Sequence, residues 1–455
     1  MGRGYIKSFF GDKNFYKQVT AVALPVMAQQ LVTACVNLVD NVMVGGVGQN
    51  ALTAVTVANC CYMLVNSLLF GLTGGAGIFI AQHYGAKNEE KCQSFFNLSL
   101  LLSILIAAFA TFVLLLAPEW TIYIFTRTPE IAQLGLDYVK FVRFSYVPYA
   151  ISVTCIMAMR SIGLNKIQLK VGTLTVVTNS VLNLILIYGY LGMPAMGVKG
   201  AALATLIARV LEMGIYLMLL IRKTHFYRLD IKGMFQIDSG MLKQLIEKAL
   251  PLTINELVYS VGNSVIFKAY MRTNEILVAA ISIVDTVMNI AFIIFGGLSS
   301  SISIFIGGKL GAGRLEEAKQ DAKKIVVFAV LVATGIGCIM FAAAPYIHHL
   351  YTLTEDAKEA LRILLRIRSV FLPMYIIHVS TFFILRAGGD TLSTLLIDSG
   401  FLWAGPVLLS TLLSLFTDIG LIELFLAVQM LEVVKMFFAV WLLKKGRWVR
   451  NLAEE

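Results

Sequence analysis

The chain is divided into apolar stretches of about twenty residues each, the length at which a helix crosses the hydrocarbon core of a bilayer. Twelve such stretches run along it, at 18–43, 52–78, 94–117, 137–158, 168–190, 200–221, 249–268, 277–305, 324–346, 366–385, 394–416 and 419–443. Composition agrees with this division. Of 455 residues, 58% are hydrophobic and only 14% charged, against about 25% charged in soluble proteins, and the mean hydropathy is +0.80. In lipid, a span must satisfy its own backbone hydrogen bonds. The pattern therefore predicts an all-α integral membrane protein of twelve transmembrane helices, with the bilayer as its principal partner.

The net charge of +10 is informative through its distribution, because cytoplasmic loops retain Lys and Arg. With the N-terminus inside, 25 basic residues fall on the cytoplasmic side, Arg3, Lys7 and Lys223 among them, and ten on the other. The remaining two, Arg209 and Lys435, lie within spans. This predicts a multi-pass protein of the inner (plasma) membrane with both termini cytoplasmic. No basic patch interleaved with aromatic residues is present, so nucleic acid is not an expected partner. The six cysteines sit in or beside apolar runs without metal-ligand spacing and read as small core hydrophobes. The sequence contains no GxxxxGK[ST] loop, HExxH or GxSxG, so the expectation is a non-enzyme with no cofactor, driven by an ion or substrate gradient.

The two halves of the chain align with each other in a single register. Pro25 in ALPVMAQQ meets Pro251 in ALPLTINE, and GLTGGAGIFIAQHYGA (71–86) meets GLSSSISIFIGGKLGA (297–312). Each half holds six spans, an even number, so both insert the same way up. Such parallel repeats are a transporter architecture. The implied domains are an N-terminal lobe at 1–225, a cytoplasmic linker at 226–247 and a C-terminal lobe at 248–455.

Polar residues inside the spans are the candidate site. A central Asp costs about 2.5–3.5 kcal/mol on the insertion scale, yet Asp40 stands in NLVDNVMVGGVG. Asn37, Thr33, Gln30 and Gln29 precede it at helical spacing, forming a stripe that should face the bundle interior or a water-filled cavity. A solvated helix end is the alternative. Helix 5 carries Thr175, Asn179 and Asn183 spaced by four, with Tyr190 seven further on, and helix 6 carries Thr205, Arg209 and Glu212 at spacings of four and three. A carboxylate, two amide carbonyls and a hydroxyl are hard oxygen donors suited to Na⁺, while the carboxylate alone suits a proton. The alternative for the asparagines is interhelical hydrogen bonding.

In the second half Ile266 stands where Asp40 would be. Helix 7 carries Glu256, Tyr259 and Asn263 on one face, helix 8 carries Asp285 and Asn289, and Asn59 is the first-half equivalent of Asp285. These form a second candidate set for substrate or cation, with pairing to Lys268 or another internal base as the alternative for the two acids. Glu212 and Glu432 are expected to pair with Arg209 and Lys435, and His378 to be a core histidine.

ALPVMAQQ, NLVDNVMVGGVG, GIFIAQHYGA, RSIGLNK, VTNSVLNLILIYGY, GVKGAALAT and RAGGDT, in this order across twelve spans, resemble the multidrug and toxic compound extrusion (MATE) family of the MOP superfamily. The resemblance implies two six-helix lobes around a V-shaped cleft. It implies exchange of Na⁺ or H⁺ for small organic, often cationic, drugs or toxic metabolites. It also implies a cation site at Asp40, Asn179, Asn183 and Thr205. Some members carry an acid where this chain has Asn183, which leaves the choice of ion open. Pro25 is the expected hinge, and the protein is expected to act as a monomer. The alternatives are a lipid-linked-precursor flippase of the same superfamily and a non-transport membrane protein.

Overall fold

A computed structural model describes residues 10–222, 227–274, 277–351 and 353–454. Arg3, Lys7, Lys223 and the junction of the first lobe with the linker lie outside the described residues. All regular structure among the described residues is helical. Twelve long helices follow one another: α1 (Lys13–Gly45), α2 (Gln49–Gly85), α3 (Glu89–Leu116), α4 (Pro129–Ser161), α5 (Asn165–Tyr188), α6 (Val198–Ile221), α7 (Ser239–Thr273), α8 (Val278–Gly311), α9 (Leu315–Ile347), α10 (Glu355–Ala387), α11 (Thr391–Phe416) and α12 (Leu421–Lys445). All but α7, eleven helices among the described residues, are long and apolar enough to cross a membrane. α7 is 35 residues long and carries Lys243, Glu247, Lys248, Glu256, Lys268 and Arg272 along its length.

The internal repeat extends to the backbone. Lys87 and Gly313, which turn the chain after α2 and α8, both take positive φ (59° and 73°). They are equivalent in the register that pairs Pro25 with Pro251. Gly163 and Gly389, equivalent positions after α4 and α10, do the same at 85° and 75°. Left-handed backbone is costly for most residues, so two such pairs in one register reflect a shared local fold.

The helices form two compact units. One comprises Leu24–Ile80 and Asn88–Thr253. In it α3 packs on α4, and α6 on both α4 and α5, around a core that includes Leu69, Ile122, Tyr146 and Ala202. The other comprises the described chain up to Ala23, Ala81–Lys87 and everything from Ile254 on. In it α10 packs on α8, α9 and α12, with Leu361, Leu364 and Leu372 fully buried. α1 changes unit just before Pro25, and α7 just after Pro251. Proline supplies no backbone N–H, so each helix lacks one ladder bond near the point where it changes unit.

Within the second unit the ends of α2 and α8 touch reciprocally. A Cβ on Gly85 would lie 1.9 Å from the carbonyl oxygen of Gly308, and one on Gly311 would lie 1.8 Å from that of Gln82. Gly85 and Gly311 are equivalent positions of the repeat, and so are Gln82 and Gly308. The Gln82 side chain is fully buried and satisfied at both ends. Its Nε2 donates to the Ala387 carbonyl at 3.0 Å, and its Oε1 accepts from the Leu452 N–H at 2.7 Å.

Forcing a methyl group into so close a backbone contact costs about 1–3 kcal/mol. Gly85→Ala and Gly311→Ala should therefore each lower the thermal unfolding midpoint of the detergent-purified protein, by similar amounts. Gly335→Ala, where a Cβ meets nothing within 4 Å, should not lower it.

Candidate cation site

α5 ends at Gly189 in the left-handed conformation (φ 77°). The following loop returns on it, with Met196 N–H donating to the Leu186 carbonyl (2.9 Å) and Gly197 N–H to that of Ile187 (3.2 Å). A Cβ on Gly200 would meet Leu186 O at 2.4 Å, so α6 starts against the last turn of α5. This sets Thr205 beside Asn179. α1 is fixed to the same end of α5, because the Tyr188 hydroxyl donates to the Met43 carbonyl at 2.8 Å.

Asp40 of α1 faces α5. Its Oδ1 accepts from Asn183 Nδ2 at 2.9 Å. The Asn179 amide is oriented so that both its ends are paired: its nitrogen donates to Asp40 Oδ2 at 2.8 Å and its oxygen accepts from the Thr205 N–H at 3.3 Å. The Thr205 hydroxyl donates to the Ala201 carbonyl at 3.0 Å. Asp40, Asn179, Asn183 and Thr205 thus meet at one point on three helices. Asp40 is half-buried and Asn183 buried. The amides present nitrogen to the carboxylate, in contrast to the carbonyl cage expected from the sequence, because a carboxylate only accepts and attracts N–H donors. Asn183 Oδ1, the other end of that amide, is buried and accepts no hydrogen bond from the described residues.

The rest of the α1 stripe does not join this point. Gln29 donates to Thr33 Oγ1 and accepts from Gln168 Nε2, both at 3.0 Å, and Gln168 accepts from Arg160 Nε at 3.3 Å. That chain of amides sits nearer the N-terminus of α1. Asn37 is exposed, and Gln30 and Asn59 are half-buried. Tyr138 of α4 escaped the sequence reading. It is buried, its phenol contacts the Thr205 side chain and it lies within electrostatic reach of Asp40. It stands at the edge of a span, where an aromatic reads as an interface anchor. Further along α6, Arg209 pairs with Glu212 at 3.0 Å and lies 4.5 Å over the Tyr149 ring, while the Tyr149 hydroxyl donates to Asn66.

In the second unit the candidates scatter. Asn263 Nδ2 donates to the Tyr259 carbonyl within α7 at 3.0 Å, and Asp285 and Asn289 are exposed on α8. Lys268 is exposed, and the cations acting on Glu256 and Asp285 are Arg386 and Arg368 respectively. The expected Glu432–Lys435 pair is absent. Lys435 bonds Asp398 of α11 at 3.3 Å, and Glu432 lies 3.2 Å from His378 of α10. An i,i+3 pair contributes only about 0.2–0.5 kcal/mol on a helix, and a partner on a neighbouring helix satisfies a buried charge better. Asp398 stands in an apolar run, STLLIDSG, which was the available signal for it.

A helical membrane protein with a duplicated six-helix plan and a carboxylate held by amides within a span has the architecture of a secondary transporter. The family model MatE matches residues 25–185 and again 251–401, and the chain belongs to that family. The two matches start at the equivalent prolines, Pro25 and Pro251. The probable multidrug resistance protein NorM of Thermotoga maritima is 22% identical over 436 residues, which is 96% of this chain and 93% of that protein. The probable multidrug resistance protein YoeA of Bacillus subtilis is 22% identical, with 94% of each chain covered. A solved structure described as the outward-facing conformation of a multidrug resistance MATE family transporter of the MOP superfamily shares the fold. It matches at a TM-score of 0.87 and 20% identity, with 97% of each chain covered.

A hydrogen bond to a charged group contributes about 1.5–3 kcal/mol, and half-burial puts the Asp40–Asn183 bond at the lower end. A double-mutant cycle of Asp40→Ala with Asn183→Ala, read by thermal unfolding, should give a coupling of about 1.5 kcal/mol. Asp40→Ala with Thr33→Ala should be additive within about 0.5 kcal/mol.

Proposed function

We propose that the chain is an antiporter that exports small organic compounds, chiefly cations, in exchange for Na⁺ or H⁺ by alternating access. Its family membership and relatives named as multidrug resistance proteins support the substrate class. The observation that carries the coupling is the Asp40 carboxylate, gripped on both oxygens by amides of α5 and tied through Asn179 to α6. A cation arriving at Asp40 competes with those N–H donors. Rotation of the Asn183 amide would turn its unbonded oxygen toward the ion. The Thr205 hydroxyl, which donates to the Ala201 carbonyl, keeps a lone pair beyond its contact with the Tyr138 phenol. Loss of two charge-assisted bonds loosens α1 from α5, and α1 bends at Pro25, where no N–H is lost by bending. Each protonation or ion-binding event at Asp40 thereby biases one conformation over the other.

On this reading Gln30, Thr33, Asn37 and Asn59 in the first unit, and Glu256, Tyr259, Asn263, Asp285 and Asn289 in the second, are candidate contacts for the organic substrate or a second cation. The protein acts as a monomer in the inner (plasma) membrane with both termini cytoplasmic, and needs no cofactor beyond its coupling ion.

The test is dye efflux from energised vesicles, with Na⁺ and pH gradients imposed separately. Asp40→Asn should abolish gradient-driven efflux at wild-type protein levels in the membrane, and the gradient that drives the wild type identifies the ion. Undiminished efflux by the mutant would remove Asp40 from the mechanism.

A further inference from the structure

Lys435 lies midway along α12 with 4% of its surface exposed, too enclosed to extend its ammonium to an interface. Intramembrane charges of this kind are costly and carry function by default. Its Nζ donates to Asp398 Oδ1 at 3.3 Å. The other oxygen, Oδ2, accepts from Asn255 Nδ2 of α7 at 3.0 Å. Asn255 Oδ1 in turn accepts from the Ser399 hydroxyl at 2.7 Å and the Ser399 N–H at 3.2 Å. Asp398 and Ser399 share the π-helical turn Leu396–Gly400, a local widening that often marks a functional position.

The chemistry parallels the Asp40 site. In both, a carboxylate inside a span has one oxygen held by an asparagine amide from a neighbouring helix. At Asp40 the second oxygen is held by another neutral amide, and at Asp398 by a covalently attached cation. The repeat also locates the difference. The register that pairs Pro25 with Pro251 places Asn255 on Gln29 and Asp398 on Gly172, and in the first unit a Cβ on Gly172 would lie 3.3 Å from Gln29 Cγ. The same helix–helix contact is therefore neutral in one unit and charged in the other.

We propose that Asp398, Asn255 and Ser399 form a second monovalent-cation site that is permanently occupied by the chain's own Lys435 ammonium. The resident cation keeps Na⁺ and protons out, so a single external cation is exchanged, at Asp40. That last clause rests on the function proposed above, whereas the occupancy by Lys435 does not. The other titratable and charged groups facing this pair are Glu256 and Tyr259 from α7, Tyr375 and His378 from α10, and Glu432 from α12. Glu432 is engaged with His378, and Arg368 with Gln429 at 2.6 Å, which leaves Lys435 as the cation bonded to Asp398.

The test is the thermal unfolding midpoint of the full-length protein in nanodiscs, titrated with Na⁺ at fixed pH and with pH in choline. A ligand bound only by the folded state raises the midpoint as its concentration rises. Using Asp40→Asn as parent removes the first site, and the facing groups named above remain common to every variant. Adding Lys435→Met should create a rise in midpoint with Na⁺, with acid, or both. Lys435→Arg should leave the parent's curves unchanged, and further addition of Asp398→Asn should abolish the gain. The proposal is overturned if the Lys435→Met protein matches its parent in both titrations. It is equally overturned if the gain survives Asp398→Asn, or if the variant fails to fold even in high Na⁺ and acid. An Asp40→Asn parent that keeps the wild-type cation response would instead refute the assignment of Asp40, and the Lys435 comparison would still be read against that parent.

Discussion

A charge that cannot reach water must be answered by the protein itself, and in a chain this apolar that requirement organises the interior. Four intramembrane carboxylates have specific partners. Asp40 has two amides, Glu212 has Arg209, Glu432 has His378, and Asp398 has Lys435 with Asn255. Except for Arg209–Glu212, every one of these contacts joins two different helices. The polar residues therefore set which helices neighbour one another, while the surrounding leucines and alanines fill the volume between them. Packing of lipid-like side chains has little directional preference, and hydrogen bonds in hydrocarbon supply it.

The two units answer the requirement differently. Around Asp40 the bonded partners are neutral amides. Around Asp398 one partner carries a full opposite charge on a tether. The same duplicated scaffold thus holds a carboxylate with neutral partners in one unit and a carboxylate with a charged partner in the other. The backbone repeats in both, down to the positive-φ residues at Lys87 and Gly313, and the divergence lies in side chains at a few inward positions.

Much of the architecture was legible from the sequence because lipid imposes simple rules. Span length and the even number of spans per half follow from apolar periodicity, and the echo of Pro25 in Pro251 fixes the register of the two halves. The grouping of Asp40 with Asn179, Asn183 and Thr205 was implied by the family resemblance, and the four-residue spacing of the asparagines on one face of helix 5 agreed with it, since few polar residues compete inside a span. Amide direction was not legible, since an asparagine side chain reads the same whichever end points inward. Lys435 was visible as a residue within a span, but its partner was not. Glu432 stood three positions away and drew the pairing, whereas Asp398 lies on another helix whose π-helical turn cannot be inferred from composition. Tyr138 was hidden for a related reason, because an aromatic at the edge of a span has an ordinary explanation.

The reciprocal glycine contact between α2 and α8 has a further consequence. Gly85 faces the backbone at position 308 and Gly311 faces the backbone at position 82, so the same surface is used twice, once by each half. This is an isologous contact, the arrangement two identical chains adopt about a two-fold axis. In a half-length ancestor carrying this surface, a single codon would have supplied both glycines. In the fused chain each can drift alone, but neither can gain a side chain without pressing on the backbone of the opposite copy.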